Sequence, residues 1–290
     1  MSIRTKSRFT PKRIALYVVL LGLIGFYLAP LETGLMTAFK TQTAFYQTSP
    51  IAPPGAGGFT VSPWGTAFSA LSQGLVNSLL FAVPATVLSA LLGSFAAYGL
   101  TNIDWRGQVA VLVLLVAGIF IPYQAVLVPL TLFWSAVGLP DLLAFSPVLA
   151  SHAALIELAI THIAYGIPIC TVLFRAFYAT IDAEMLEAAK LDGASVFGIY
   201  RRIVLPQSGA IFAVVLIYQF TQIWNDLLFA LVLINQPQNQ VITMALSQLQ
   251  GSMVQQFNIQ MAGAFIAALP TLLVYILFTE QFAEGIAGES

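Results

Sequence analysis

The stretch EAAKLDGASVFGIYRRIVLP, residues 187–206, is the most polar run in a chain that is otherwise close to lipid in character. Three of the eleven basic residues fall inside it: Lys190, Arg201 and Arg202. Asp182 and Glu184 precede it and Glu187 opens it, and acids favour a helix N-terminus. AEMLEAAKL has high helix propensity. Gly193 then supplies a stop that tolerates a left-handed backbone. Ser195 is placed to cap a second short helix over 196–204, and Pro206 is expected to end it, because proline disfavours helix at the residue before it. The run therefore reads as helix, bend, helix. Ala188 and Ala189 leave a small apolar face flanked by acids, a shape suited to a groove on another protein. The alternative is an interfacial helix resting on lipid head groups. Glu184 and Glu187 fit that poorly, whereas Arg201 and Arg202 fit it well.

The surroundings explain why such a run stands out. The 290 residues are 59% hydrophobic and 8% charged, with a mean hydropathy of +0.88. A soluble domain carries about 25% charged residues, so this is the composition of an integral membrane protein. A net charge of −1 excludes nucleic-acid binding through a basic surface. Cys170 is the single cysteine and has no disulfide or metal partner, while His152 and His162 are the only histidines. Their spacing from Glu157 does not suit a metal. No HExxH and no phosphate-binding loop of the G-x-x-x-x-G-K-[ST] type is present. The chain holds no ATP site or cofactor site of its own.

A membrane span needs about 20 largely apolar residues. Six are predicted: 14–38, 76–100, 109–133, 148–174, 208–234 and 260–280. The first is too long for the core of a signal peptide and is read as an uncleaved span. The basic residues fix the orientation. Arg4, Lys6, Arg8, Lys12, Arg13, Arg106, Arg175, Lys190, Arg201 and Arg202 all fall on one side by alternation, and only Lys40 falls on the other. The basic side is the cytoplasm. This gives an all-α, six-span membrane protein. It has a cytoplasmic tail at 1–13, a transmembrane domain at 14–280 with a cytoplasmic loop at 178–206, and a second cytoplasmic tail at 281–290. It sits in the cell membrane with both termini inside.

The outer loops differ in kind. Residues 47–65 are rich in Pro and Gly, the mark of irregular surface structure. Residues 235–258 hold no Lys, Arg, Asp or Glu but many Gln and Asn, and read as a solvated or partner-touching exterior segment. Ser89, Gly93 and Ala97 put small residues at helical spacing in the second span, where they allow close helix packing. Pro84, Pro122, Pro129, Pro168 and Pro270 are expected to interrupt four spans, as kinks or as a broken path.

Polar groups inside a span are costly and are candidate functional residues. In the fifth span Tyr218, Gln219, Gln222, Asn225 and Asp226 fall within an arc of about 120° at helical geometry. They are expected to form one polar stripe facing away from lipid. With Tyr123 and Gln124 of the third span, these amide, phenol and carboxylate groups are candidates for lining the path of a neutral polyhydroxyl solute. A hydrogen-bonded seam to a partner subunit is the competing reading. Glu157 lies inside the fourth span, as a structural acid or a proton relay.

Glu187-Ala188-Ala189, three residues, Gly193, nine residues, Ile203, one residue and Leu205-Pro206 resemble the EAA motif of the permease subunits of binding-protein-dependent ABC importers. The rest of the chain resembles the carbohydrate-uptake branch of that family, of the maltose-type second permease. The residues are Asn77-Ser78, AAYGL at 96–100, IPYQAVLVPL at 121–130, LEAAKLDGAS at 186–195 and WNDLLFAL at 224–231. Gly285 and Gly288 match a glycine-rich C-terminus, although a lysine common there is absent. The resemblance implies that the 178–206 loop forms coupling helices, with Glu184, Glu187, Ala188, Ala189, Asp192, Gly193, Ile203, Leu205 and Pro206 as coupling residues. It implies docking on two cytoplasmic ATPase subunits that carry ATP and Mg. It also implies a second homologous permease, an extracytoplasmic solute-binding protein, and a sugar or related solute as cargo. Two rivals remain at this level: a proton-coupled secondary transporter using Glu157 or Asp226, and a membrane-embedded enzyme. The coupling motif argues against the first. The absence of an activated nucleophile or acid–base cluster argues against the second.

Overall fold

The structure, a computed structural model, describes residues 11–251 and 256–279. Most of both predicted tails, with Gly285 and Gly288, lies outside the described residues. The helices in chain order are α1 Pro11–Ala38, α2 Gln42–Gln47, α3 Ser62–Thr101, α4 Gln108–Ile119, α5 Tyr123–Val137, α6 Leu139–Leu142, α7 Pro147–Ser151, α8 Ala153–Tyr178, α9 Ala183–Leu191, α10 Val196–Ile199, α11 Leu205–Gln207, α12 Gly209–Trp224, α13 Leu228–Leu233, α14 Ile242–Gln250 and α15 Phe257–Leu277. Among the described residues, five stretches are long and apolar enough to cross a membrane: Pro11–Ala38, Ser62–Thr101, Tyr123–Leu142, Ala153–Tyr178 and Phe257–Leu277. Val196–Gln207 with Gly209–Trp224, bent by 79°, supplies a sixth if taken as one span.

The span boundaries shift from those expected. α3 runs for 40 residues, so Asn77 and Ser78 lie within the helix rather than opening it. There they hold the segment at residues 238–242 in place. Asn77 Nδ2 donates to the carbonyls of Gln238 and Gln240, both at 2.8 Å, and Ser78 Oγ accepts from Ile242 N at 2.9 Å. The segment expected to be a loop at 235–258 is therefore partly helical and tied down. The third span is broken at Phe120–Pro122, between α4 and α5, and the fifth after Trp224, between α12 and α13. Of the five prolines expected to interrupt spans, only Pro122 lies at a break. Pro84, Pro129, Pro168 and Pro270 sit inside continuous helices. Neighbouring helices and side-chain hydroxyls re-satisfy the backbone groups a proline frees in a span.

By contact the chain divides into two units, Met1–Ala70 with Gln248–Ile266, and Leu71–Ser247 with Ala267–Ser290. In the first, α1 is apolar and exposed along nearly all its length, burying only Gly34, Thr37 and Ala38. Such a surface is at home in lipid. Lys40, fully buried, turns its ammonium onto the carbonyls of Ser49 and Pro50 at 2.8 and 3.4 Å, and its own carbonyl accepts from Asn258 Nδ2 at 3.0 Å. Lys40 thus organises the loop that follows α1.

In the second unit, α3 and α8 pack at close range. A Cβ added at Gly93 would overlap the Cβ of Cys170, and one at Gly166 would overlap Gln219 and crowd Ser89. Ser89 and Gly93 on one helix face Gly166 and Cys170 on the other, each pair one turn apart. This is the small-residue seam expected from the α3 sequence, now with its partner helix.

Candidate functional site

The loop between α8 and α12 is built by its local sequence as far as residue 199. Asp182 caps α9, its carboxylate accepting from Glu184 N at 2.9 Å. At the other end Gly193 takes φ +80°. Its N–H donates to Lys190 O and Ala194 N–H to Ala189 O, both at 3.0 Å. Those two bonds are the pattern of a glycine-terminated helix. Ser195 Oγ then accepts from Gly198 N at 3.1 Å and starts α10. The helix, the bend and the second cap all stand where the sequence puts them.

Beyond that point the structure corrects the reading. The second helix does not stop before Pro206. α10 continues into a π turn, Tyr200–Val204, in which Leu205 N–H donates back to Tyr200 O, and then into α11, which contains Pro206. Proline lacks an N–H, and its ring clashes with the carbonyl four residues back in a regular helix. Widening the turn relieves both problems. The true break is at Ser208, whose hydroxyl donates to Val204 O at 2.6 Å, and the chain turns by 79° into α12.

The motif residues fall on two faces. Glu184, Glu187, Ala188, Asp192, Gly193 and Pro206 are exposed, while Ala189, Ile203 and Leu205 are half-buried. Leu186, Ile199, Tyr200 and Val204 are buried with Ala90, Ala97 and Tyr98 of α3 and Phe174 and Tyr178 of α8. Two large apolar side chains not expected from the Ala188–Ala189 face alone are also exposed here: Leu191 at 89% and Phe197 at 60%. Large exposed apolar side chains on a loop that also exposes Glu187 and Asp192 mark this end of it as a candidate contact surface.

Sequence reasoning missed what holds the loop from behind. Ser94 Oγ lies 2.6 Å from Tyr178 OH and 2.7 Å from Tyr200 OH, all three buried. One turn along α3, Tyr98 OH donates to Val196 O at 3.1 Å. The only signal available was hydroxyls within apolar runs, which does not say what they meet.

The polar stripe is not one face. Tyr218, Gln222 and Asn225 are exposed, whereas Gln219 and Asp226 are buried. α12 ends at Trp224, so Asn225 and Asp226 leave the helical register. Asn225 Nδ2 donates to Thr221 O at 2.8 Å. Asp226 Oδ2 accepts from Phe229 N at 3.2 Å and lies 3.4 Å from His162 Nε2. A polar cavity of about 30 Å³ is lined by Tyr123, His162, Tyr165, Tyr218, Gln219 and Gln222, among others. Four of the seven path candidates thus meet there. Gln124, Asn225 and Asp226 do not line it, while His162 and Tyr165, which were not candidates, do. Glu157 instead lines a separate groove of about 400 Å³ with Trp134, Asp141 and Asn235. Among the described residues no group of three or more His, Cys, Asp or Glu is placed to hold a metal.

Residues 89–283 match the family model described as binding-protein-dependent transport system inner membrane component. The chain belongs to that family. This permease is 47% identical to the xylose/arabinose import permease protein of Haloferax volcanii, over 96% of its own length and 93% of the relative's. It is 41% identical to a probable ABC transporter permease protein of Pyrococcus horikoshii, over 96% of both chains. Its fold matches a chain of a bacterial ABC transporter involved in the import of alginate, with a TM-score of 0.71 at 17% identity, covering 94% of this permease and 99% of that chain. The coupling-type loop, residues 178–206, falls inside the matched region.

Proposed function

We propose that this permease carries a sugar, with a pentose of the xylose or arabinose kind as the first candidate, across the cell membrane as one subunit of an ABC importer. The observation that carries the cargo assignment is the 47% identity to a pentose permease over nearly the whole chain. The chemistry of Tyr123, Tyr218, Gln219 and Gln222 agrees with it, because phenol and amide groups pair with hydroxyls without fixing a charge; their cavity of about 30 Å³ holds about one water and has to widen to pass a sugar. The chain itself performs no chemistry. ATP and Mg bind to two cytoplasmic ATPase subunits, a second homologous permease completes the pathway, and a solute-binding protein delivers cargo from outside.

The coupling residues are Glu184, Glu187, Ala188, Ala189, Asp192, Gly193, Ile203, Leu205 and Pro206. The exposed five of the first six fit the ATPase surface, and Ala189 backs them against the core. Ile203 and Leu205, half-buried, and Pro206, at the π turn, set the pose of the loop. Orientation follows from the ten basic residues on one side, so the loop and both termini are cytoplasmic. Glu157 and Asp226 are structural acids in this reading, and a proton relay is its rival. The test is uptake of labelled D-xylose and L-arabinose into vesicles holding the full complex. Uptake that needs ATP and the binding protein, and survives collapse of the proton gradient, supports the proposal. Uptake that stops with the gradient supports the rival, and uptake of neither pentose refutes the cargo.

A further inference from the structure

The Ser94 hub has a geometry that packing alone does not require. Ser94 and Tyr98 are one turn apart on α3, and Val196 and Tyr200 are four residues apart on the loop. Tyr98 OH reaches Val196 O and Ser94 Oγ meets Tyr200 OH, so α10 is fastened to α3 at both of its ends. The third hydroxyl, Tyr178, is the last residue of α8. Three elements far apart in sequence therefore meet at one buried serine. The covalent route onward is weaker. It runs through the π turn Tyr200–Val204 and the 79° bend at Ser208 before it reaches α12.

A regular helix transmits displacement along its axis, whereas a π turn followed by a bend yields. A short hydrogen-bonded contact between buried groups does not, since separating it leaves buried hydroxyls unpaired. We propose that Ser94, Tyr178 and Tyr200 are positioning residues for transport: movement of the coupling loop enters the span bundle at α3 and α8 through these three hydroxyls, and α12 follows. This rests on the coupling reading of the loop and adds the route by which the loop acts.

The experiment uses the full complex in vesicles, with a cysteine in place of Gln222 on α12. Cys170, the chain's own cysteine, is buried. Two quantities are read for Tyr200→Phe, Tyr178→Phe and Ser94→Ala: co-purified ATPase with its hydrolysis rate, and the ATP-dependent change in labelling of position 222. The proposal expects docking and hydrolysis within about twofold of the parent. The ATP-dependent labelling change should fall at least about tenfold in Ser94→Ala, with Ser94→Ala plus Tyr200→Phe no worse than Ser94→Ala alone, as expected of groups acting as one unit. It is overturned if the labelling change survives in Ser94→Ala, or if the two substitutions add. It is also overturned if Tyr200→Phe sheds the ATPase, because the hub then only shapes the docking surface. If Glu187→Lys leaves docking intact, the coupling reading fails instead, whatever the hub variants do.

Discussion

His162 Nε2 lies 3.4 Å from Asp226 Oδ2, and both side chains are 4% exposed. The same carboxylate oxygen accepts from Phe229 N and so caps α13 where the fifth span restarts. The His162 ring is held between Phe81 at 5.8 Å and Phe229 at 5.4 Å. One acid thus fixes a helix break and pairs with a residue of α8. These contacts are the ones an architectural role requires, and the proposal treats Asp226 as such. Asp226→Asn keeps an acceptor for Phe229 N and should lower pentose uptake only modestly, with about 1 kcal/mol lost from stability. Asp226→Ala removes the acceptor too and should cost about 1–3 kcal/mol in a thermal unfolding series. Abolished uptake in Asp226→Asn, with the complex still assembled, would favour the proton-relay rival.

The α3–α8 seam gives a second prediction, in which two glycines are ranked. At Gly93 a new methyl meets the Cβ of Cys170 and the Thr171 backbone, which have little room to move. At Gly166 it meets chiefly the end of the Gln219 side chain, which can swing away. Gly93→Ala should therefore destabilise more, by about 1–3 kcal/mol, and Gly166→Ala less. Gly166→Ala should displace Gln219 from the polar cavity and raise the KM for pentose. Equal unfolding temperatures for the two variants would show that the seam is looser than its geometry implies.

The bend after α9 yields a third. Gly193 sits at φ +80°, where a side chain costs about 1 kcal/mol. Gly193→Ala should leave ATPase docking measurable and uptake reduced. Gly193→Pro cannot take that φ and loses the N–H that serves Lys190 O. It should give a complex that hydrolyses ATP without moving sugar. Normal uptake in Gly193→Pro would mean that the direction of α10 is not set by this bend.

Sidedness is tested by cysteine labelling in intact cells. Positions 55 and 236 should react with an impermeant thiol reagent from outside, and positions 104 and 192 should not. All four are exposed in the chain. Ala245, also in the amide-rich segment, is buried on α14 and would be a poor probe. Reaction at 192 from outside would invert the topology.

The sequence exposed its polar exceptions and concealed its interior. The first half of the 178–206 loop was legible because capping residues and glycine act by local rules, as Asp182, Gly193 and Ser195 do. The sidedness expectation was readable for a similar reason, since Lys and Arg are few and clustered. Within spans the residues are apolar on every side, so periodicity carries little information about which face packs. That is why the 40-residue reach of α3, its unbroken passage through Pro84 and the split of the polar stripe were not foreseen. Those depend on distant partners: Asn77 on residues 238 and 240, Gln219 on Gly166, Asp226 on His162. Pro206 misled because a π turn accommodates it, and nothing in YRRIV announces that turn.

The central claim is that the 178–206 loop docks an ATPase subunit, and Glu187 tests it most directly. Glu187 is exposed, one turn before the exposed Leu191, so Glu187→Lys is expected to spare the permease fold and to reverse a charge at the proposed contact. A repelled or unpaired charge in a closed interface costs several kcal/mol, on the order of 2–5. The measurement is the amount of ATPase subunit that co-purifies with the permease, with Gln240→Ser on the outer segment as a control. The account predicts that Glu187→Lys loses most of the ATPase and that the control retains it. A full complement of ATPase on Glu187→Lys, with normal uptake, would contradict it.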